Sequence, residues 1–511
     1  MLRKLGTVSG LTLVSRVLGF LRDVVLAATL GAGPVADAFM LAFRLPNHFR
    51  AILAEGAFNA AFLPTWAAAD ASGRDSSRLG AETLGWLTLA NLALLTLALG
   101  ATGWMLAVLA PGLASADETW PLVVTLTRIT FPYLLCMSLV AFLAALLNGR
   151  DRFAAPAAAP ILLNLFMISS LLLAAHFPSA AHAAAWGVMV SGVAQVALLT
   201  GAALRAGLPL PRPRLGLSPD TRLFFRRLGP AVLTSGALQV AIFADTIIAT
   251  FLPAGSLSHL YYADRLYQLP IGLIGVALGT VILPDIGRRA GLGDEGGMRR
   301  VLDRALLICL VVGVPVAVMM VALGDWAIRI LFVRGAFDLA AAEASAAILA
   351  AYALGLIPAL ALRSLVAGFH GRGDTRKPLQ LLAAATMVNI SLKIVLAPLL
   401  GAVGLALATS AGLTLYATLL FRAGRARGFL AGTAPFATGA LVGTGVALGL
   451  LVMWSRDAVL RYIETVTASL ALPTTLFAFV LGVLAVQAMA TMLLIGHGGF
   501  ADSDQRSDRV S

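Results

Sequence analysis

Charge is scarce in this chain. Asp, Glu, Lys and Arg make up 12% of its 511 residues, about half of what a soluble domain carries, which argues against a water-soluble enzyme. Cysteine is nearly absent as well. Cys136 and Cys309 each sit inside an apolar run, so neither a disulfide framework nor a Cys-x-x-Cys metal site is supported. The six histidines are scattered and form no His-Glu-x-x-His or Cys/His cluster. No Ser/His/Asp arrangement can be specified, so the chain reads as non-enzymatic, with neither a metal nor a bound cofactor. The formal net charge of +12 raises the question of nucleic acid. Basic residues interleaved with aromatics are missing, however, and no nucleic-acid partner is expected. Gly443-Thr444-Gly445 with Gly449 imitates a phosphate loop, but it lies in an apolar run with no preceding strand and reads as a helix-packing stripe.

What is abundant is apolar surface. Hydrophobic residues make up 59% of the chain, the mean hydropathy is +0.90, and 50 glycines suit helices packed closely in lipid. Arg3 and Lys4 before an apolar run imitate a secretory leader. Arg16, Arg22 and Asp23 interrupt that run and no small-x-small cleavage site follows, so it reads as an uncleaved first span.

With about 20 mainly apolar residues needed per helix, hydropathy predicts an all-α polytopic membrane protein of fourteen spans. They cover approximately Leu5–Leu30, Val35–Phe62, Leu79–Leu109, Pro121–Leu147, Pro156–Ala175, Ala183–Ala203 and Leu228–Leu252. The rest are Leu257–Ile286, Val301–Leu323, Glu343–Phe369, Leu379–Leu400, Gly401–Phe421, Thr433–Met453 and Leu470–Ile495. Basic residues crowd alternate loops, such as Arg150 with Arg152 and the group from Arg205 to Arg227. The intervening loops hold only Arg329, Arg334, Arg456 and Arg461. Because cytoplasmic loops favour Lys and Arg, both termini are expected in the cytoplasm.

Gly149-Arg150 precedes Pro156 as Gly371-Arg372 precedes Pro378, and Leu63-Pro64 recurs as Leu283-Pro284. Two matches at nearly one offset predict duplicated six-helix lobes, 1–215 and 216–430, in parallel orientation. Residues 431–511 then form an added helix pair and a cytoplasmic tail.

A charge at mid-span costs about 2.5–3.5 kcal/mol to insert, so intramembrane charges mark cavities or partners. On the first span Ser9, Thr12, Arg16, Gly19 and Asp23 share a helix face, flanked by Ser15 and Arg22. Two arginines against one aspartate favour an anion site, while a structural Arg–Asp pair locking helices is the plain alternative. On the second span Asp37, Arg44 and Glu55 share a face if the helix continues through Pro46, with a kink expected near Asn47 and His48 and Arg50 a turn later. The kink serves either gating or packing. The eighth span opens Tyr261-Tyr262-Ala263-Asp264-Arg265, at the position in the second repeat that the charged second span holds in the first. A last set joins Asp245 on the seventh span to Asn389 and Lys393 on the eleventh, either as an Asp245–Lys393 ion pair or as an ion-coupling site. Arg128 and Arg363 lie near span ends and are expected to snorkel to the interface.

The string Ser15-Arg16-Val17-Leu18-Gly19-Phe20-Leu21-Arg22-Asp23 is followed by Asp37-Ala38-Phe39, Arg44-Leu45-Pro46-Asn47 and Ala54-Glu55-Gly56-Ala57-Phe58. Tyr261 to Leu266, Gly275 to Thr280 and Leu283-Pro284 continue the pattern. Together they resemble the MurJ/MviN lipid II flippase family over essentially the whole chain. The resemblance implies the fold of the multidrug/oligosaccharidyl-lipid/polysaccharide exporter superfamily, with two six-helix lobes around a central cavity. It implies that Arg16, Arg22, Arg50 and Arg265 hold the diphosphate of lipid II, with Asp23 as their acidic partner. Asp37, Arg44, Asn47, Glu55 and Asp264 then read as cavity or gating residues, and the last two spans as a groove for the polyprenyl tail. Some members bind sodium in the second lobe through acidic groups, where this chain carries Lys393.

The expected activity is movement of undecaprenyl-diphosphate-linked precursor across the bacterial inner membrane by alternating access. Its partners are lipid II and membrane lipids, with room for association with cell-wall synthesis proteins and for coupling to an ion or to the membrane potential. A drug exporter of the same fold would favour an acidic or apolar cavity. A flippase for O-antigen-type sugars would share the basic one, so only the motif match separates it.

Overall fold

A computed structural model describes residues 2–50, 57–73, 75–114, 119–208, 210–430 and 443. Side chains are described for the same residues apart from 2–5, 49, 50, 233–238, 241 and 273–284. Among the described residues there is no strand. Arg334 and Phe337 form one isolated bridge across a turn. The expected spans Thr433–Met453 and Leu470–Ile495 lie outside the described residues.

The chain opens with α1 (Leu2–Leu30), α2 (Pro34–Arg50), α3 (Ala57–Ala71), α4 (Ser76–Gly100) and α5 (Thr102–Leu109). It continues with α6 (Trp120–Thr130), α7 (Tyr133–Gly149), α8 (Ala154–Leu172), α9 (Ala180–Arg205) and α10 (Pro219–Ala249). Then follow α11 (Ser256–Gly291), α12 (Glu295–Phe332), α13 (Leu339–Ala353), α14 (Leu356–His370) and α15 (Arg376–Ala426). Local chemistry sets several of these ends. The Asp75 side chain accepts from the Arg78 amide at the start of α4, and Ser218 accepts from Thr221 ahead of Pro219 at the start of α10. α2 continues through Pro46 to Arg50.

Among the described residues six helices are long and apolar enough to cross a membrane, with α6 and α7 taken together as one (Trp120–Gly149), or seven if the pair α13–α14, bent by 42°, is one span. α15 counts once in that tally, yet its 51 residues would reach roughly 75 Å as one straight helix, far more than a bilayer core of about 30 Å. Gly401 breaks it, at φ 58° and ψ −138°, where the sequence places the boundary between two spans. α1 falls outside the tally although 29 residues long. Arg16, Arg22 and Asp23, the residues that make it a candidate site, also lower its hydropathy.

The chain divides into two compact units. The first holds Met1–Tyr261 with Phe332–Ala341; Tyr262–Leu331 and the chain from Ala342 onward form the second. In the first unit, α1 ends against the Arg334–Phe337 turn. The Ala336 amide donates to the Ala28 carbonyl at 2.8 Å. Gly31 (φ +66°) and Gly335 (φ +58°) make that approach: a Cβ on either would sit 2.4 or 2.2 Å from a carbonyl oxygen of the facing segment.

Within lipid, burying apolar surface gains little, so helix association depends on close packing. α9 presents small residues to α7 and α8. A Cβ at Gly192 would lie 2.8 Å from the Tyr133 ring, and one at Gly187 would strike Ser170. α3, α7 and α10 meet through Phe58, Phe62, Phe142 and Phe224, with ring centroids 5.2–6.3 Å apart in stacked, tilted and edge-on arrangements.

In the second unit the Ser410 hydroxyl on α15 donates to the Ala351 carbonyl of α13 at 2.7 Å, and Tyr416 donates to the Pro378 carbonyl at 3.2 Å. Tyr267 stacks on Tyr352 at 5.1 Å. Both Gly-Arg pairs of the sequence repeat occur at helix ends, each arginine covering a ring. Arg150 lies 5.2 Å from the Trp66 centroid in the first unit, and Arg372 lies 4.6 Å from that of Phe429 in the second.

Candidate functional site

α1 carries two opposed faces. Leu13, Val14, Val17 and Leu21 are exposed on one, as befits a helix against lipid. Thr12, Arg16, Gly19 and Asp23 fall on the other at 100° per residue. Along this polar arc burial increases toward the C-terminal end of the helix. Ser9, Thr12 and Arg16 are exposed, whereas Arg22 and Asp23 are only 7% and 2% exposed.

At this buried end the first unit assembles four polar side chains from three helices. Arg22 donates from Nε and Nη2 to Asp23 Oδ1 at 3.0 and 2.7 Å. Its Nη1 donates to Asn164 Oδ1 on α8 at 3.1 Å, and its Nη2 also lies 3.3 Å from Tyr261 Oη on α11. The Tyr261 hydroxyl donates to Asp23 Oδ1 at 2.8 Å. Asn164 in turn donates from Nδ2 to the Ser15 carbonyl at 2.9 Å, which fixes the direction of its carboxamide. Gly19 gives that carboxamide room; a Cβ there would lie 3.5 Å from Asn164 Nδ2. The guanidinium is thus held in a set plane by acceptors on two sides, the geometry that suits a group meant to meet a planar or tetrahedral oxyanion.

Asn164 and Tyr261 are not among the site residues expected from the sequence. Asn164 is a carboxamide in the middle of a predicted span, and a mid-span amide needs partners in lipid as a charge does; that was the available signal. Tyr261 opens the run Tyr261 to Leu266, but a tyrosine at a span end is ordinary and marks no site by itself.

The other expected residues lie elsewhere. Asp37, at the start of α2, is 4% exposed. It accepts from the Gly255 amide at 2.6 Å and from the Ser258 amide and hydroxyl at 2.7 Å each. Its carboxylate thus caps the first turn of α11. Arg44 and Asn47 are half-buried on α2, as is Asp245 on α10. The Arg50 side chain and Glu55 lie outside the described residues. In the second unit Asp264 and Arg265 are half-buried, and Gln268 donates to Asp264 at 2.9 Å. Asn389 and Lys393 are both buried on one face of α15. Asn389 rests on Gly412, where a Cβ would come within 2.5 Å of its Nδ2.

Glu82 on α4 is a buried carboxylate that no sequence motif marks. It accepts from Arg78 Nε at 2.8 Å, the Ser218 amide at 2.8 Å and the Thr221 hydroxyl at 2.7 Å. It therefore ties the start of α10 to α4. Among the described residues no group of three or more His, Cys, Asp or Glu could hold a metal ion.

Comparison with known proteins agrees with this architecture. The chain is 37% identical over 434 residues to a probable lipid II flippase MurJ of Rhizobium meliloti, covering 83% of this chain and 81% of that protein. It is 33% identical over 504 residues to the probable lipid II flippase MurJ of Vibrio cholerae, covering 96% and 95%. Among solved structures it superposes on a lipid II flippase MurJ in an inward closed conformation with a TM-score of 0.80, at 22% identity over 96% of this chain and 98% of that one. A multidrug resistance MATE family transporter in an inward-facing conformation follows the same fold, with a TM-score of 0.68 at 15% identity, covering 84% of this chain and 96% of that one. Residues 26–468 match the family described as lipid II flippase MurJ, and the chain belongs to that family.

Proposed function

We propose that this chain moves lipid II from the cytoplasmic to the outer leaflet of the bacterial inner membrane, and that Arg22 is the group that engages its diphosphate. The observation that carries the assignment of Arg22 is its buried guanidinium, held by Asp23, Asn164 and Tyr261 inside a membrane-length helix. Binding requires exchange. As the diphosphate approaches, its oxygens replace Asp23 as acceptors, and Tyr261 and Asn164 keep the guanidinium aimed. Arg16, exposed two turns toward the N-terminus, makes first contact, and Arg50 and Arg265 contribute further positive charge. The headgroup crosses by alternating access while the polyprenyl tail stays in lipid.

The same reading includes fourteen spans with both termini cytoplasmic, supported by the alternation of basic loops. It includes two six-helix lobes at 1–215 and 216–430 with an added helix pair, supported by the repeated Gly-Arg and Leu-Pro motifs. Asp37, Arg44, Asn47, Glu55 and Asp264 serve gating. Asp245 with Asn389 and Lys393 serves as an ion pair or an ion site. Association with cell-wall synthesis proteins is compatible with this role.

The test is complementation of a strain depleted of its own flippase, scored by surface labelling of lipid II. Arg22→Ala should abolish labelling while the protein inserts at normal levels. Asn164→Leu keeps the charge but removes one acceptor, and should lower labelling by roughly tenfold, as the loss of a buried hydrogen bond to a charged group does. Normal labelling with Arg22→Ala would overturn the assignment.

A further inference from the structure

The end of the first unit where α1 begins holds an open groove of about 1000 Å³ between the starts of α1 and α8 and the end of α9. Val8, Leu147, Phe153 and Leu198 give it an apolar floor, while Arg152 and Arg205 line it with two exposed guanidinium groups against one carboxylate, Asp151. Other arginines at helix ends of this chain are engaged: Arg78 with Glu82, Arg289 with Asp285 and Asp294, Arg372 with Glu295. Neither Arg152 nor Arg205 has a side-chain ion pair or hydrogen bond among the described residues.

We infer that this groove holds one acidic glycerophospholipid of the surrounding leaflet, its phosphodiester between Arg152 and Arg205 and the roots of its acyl chains along Val8 and Leu198. The charge is complementary, and the floor is apolar where a lipid is apolar. The volume lies in the range of small-molecule sites, whereas a free phosphate would occupy a small fraction of it and leave the apolar wall wet. Arginine at the headgroup level attracts anionic lipid, and two guanidinium groups on one phosphodiester add directional hydrogen bonds. The inference rests on the membrane-spanning reading above but not on transport.

The test is native mass spectrometry of the full chain released from micelles containing equal phosphatidylglycerol, phosphatidylcholine and undecaprenyl diphosphate. The wild-type protein should retain one phosphatidylglycerol with about tenfold preference. The double variant Arg152→Gln/Arg205→Gln should lose that preference, while Arg212→Gln, an exposed arginine outside the groove, should keep it. Equal retention of both lipids by the wild-type protein would overturn the site, as would undiminished preference in the double variant or retention of undecaprenyl diphosphate in place of phosphatidylglycerol. Should the double variant not fold, Leu198→Trp gives an independent reading. The emission it adds to that of the seven native tryptophans should be quenched more by brominated phosphatidylglycerol than by brominated phosphatidylcholine, and equal quenching of that added emission would overturn the site. Because the assay reads retention in micelles, its outcome is separate from that of the surface-labelling test.

Discussion

Arg22 and Asp23 are consecutive on a helix, so their side chains leave it about 100° apart and do not face one another. They meet because the long arginine folds back over its neighbour, with Asn164 and Tyr261 among its other partners. Removing one member of a buried ion pair leaves the other uncompensated, at a cost of about 3–5 kcal/mol, which is why Arg22 and Asp23 should be altered separately as well as together. In the loop between α14 and α15, Asp374 is half-buried. Its carboxyl is held below the ordinary value of 3.8, first by the hydrogen bond from Arg427 and then by the Lys377 amide. Arg427 itself lies 5.5 Å from the Phe369 ring centroid. A depressed carboxyl stabilises the folded state above its unfolded-state value and loses that contribution as pH falls through the folded one. The thermal midpoint of the wild-type protein should therefore exceed that of Asp374→Asn by a constant margin from neutral pH to about pH 5, and the margin should shrink below about pH 4. A margin that does not change with pH would show that the carboxylate charge is not what stabilises the loop.

Among the elements, the segment joining α9 to α10 shows how a loop is held in place. It runs along α4, where the Arg214 amide donates to the Ala81 carbonyl at 3.0 Å and Trp86 Nε1 donates to the Gly216 carbonyl at 2.9 Å. Glu82 receives the Ser218 amide at its end. Gly85 permits the approach, since a Cβ there would sit 2.2 Å from the Arg214 carbonyl oxygen. Gly80, one turn away, would place its Cβ 3.7 Å from Pro211, an ordinary contact. Gly85→Ala should therefore lower stability by about 1–3 kcal/mol, the usual range for overpacking, and open the joining segment to protease. Gly80→Ala should do neither. Equal behaviour of the two variants in thermal unfolding and limited proteolysis would show that this packing does not limit stability. Among the described residues the helical character of the apolar runs was legible from hydropathy, as was the break at Gly401. The course of this joining segment was not, because its fixing contacts come from residues more than a hundred positions away.

For the whole molecule, the distribution of arginine predicts which ends of the helices face the cytoplasm. Cys136 and Cys309 are buried, so single cysteines can be added at exposed positions and read cleanly. Ser72→Cys, at the end of α3, should react with an impermeant maleimide only after cells are opened. Leu339→Cys, at the start of α13, should react in intact cells. Reversed labelling would invert the topology and with it the direction of transport.

Composition, the spacing of apolar runs and the strings around Arg16, Arg22 and Asp37 were enough to determine membrane class, helical architecture and family, because each is written in contiguous residues. Tertiary structure decided which groups the charges meet. Asp37 turned out to cap α11, and Asn164 and Tyr261 joined Arg22. A hydrogen bond needs both partners within about 3 Å, and residues more than a hundred apart in sequence reach that distance only once the helices have packed.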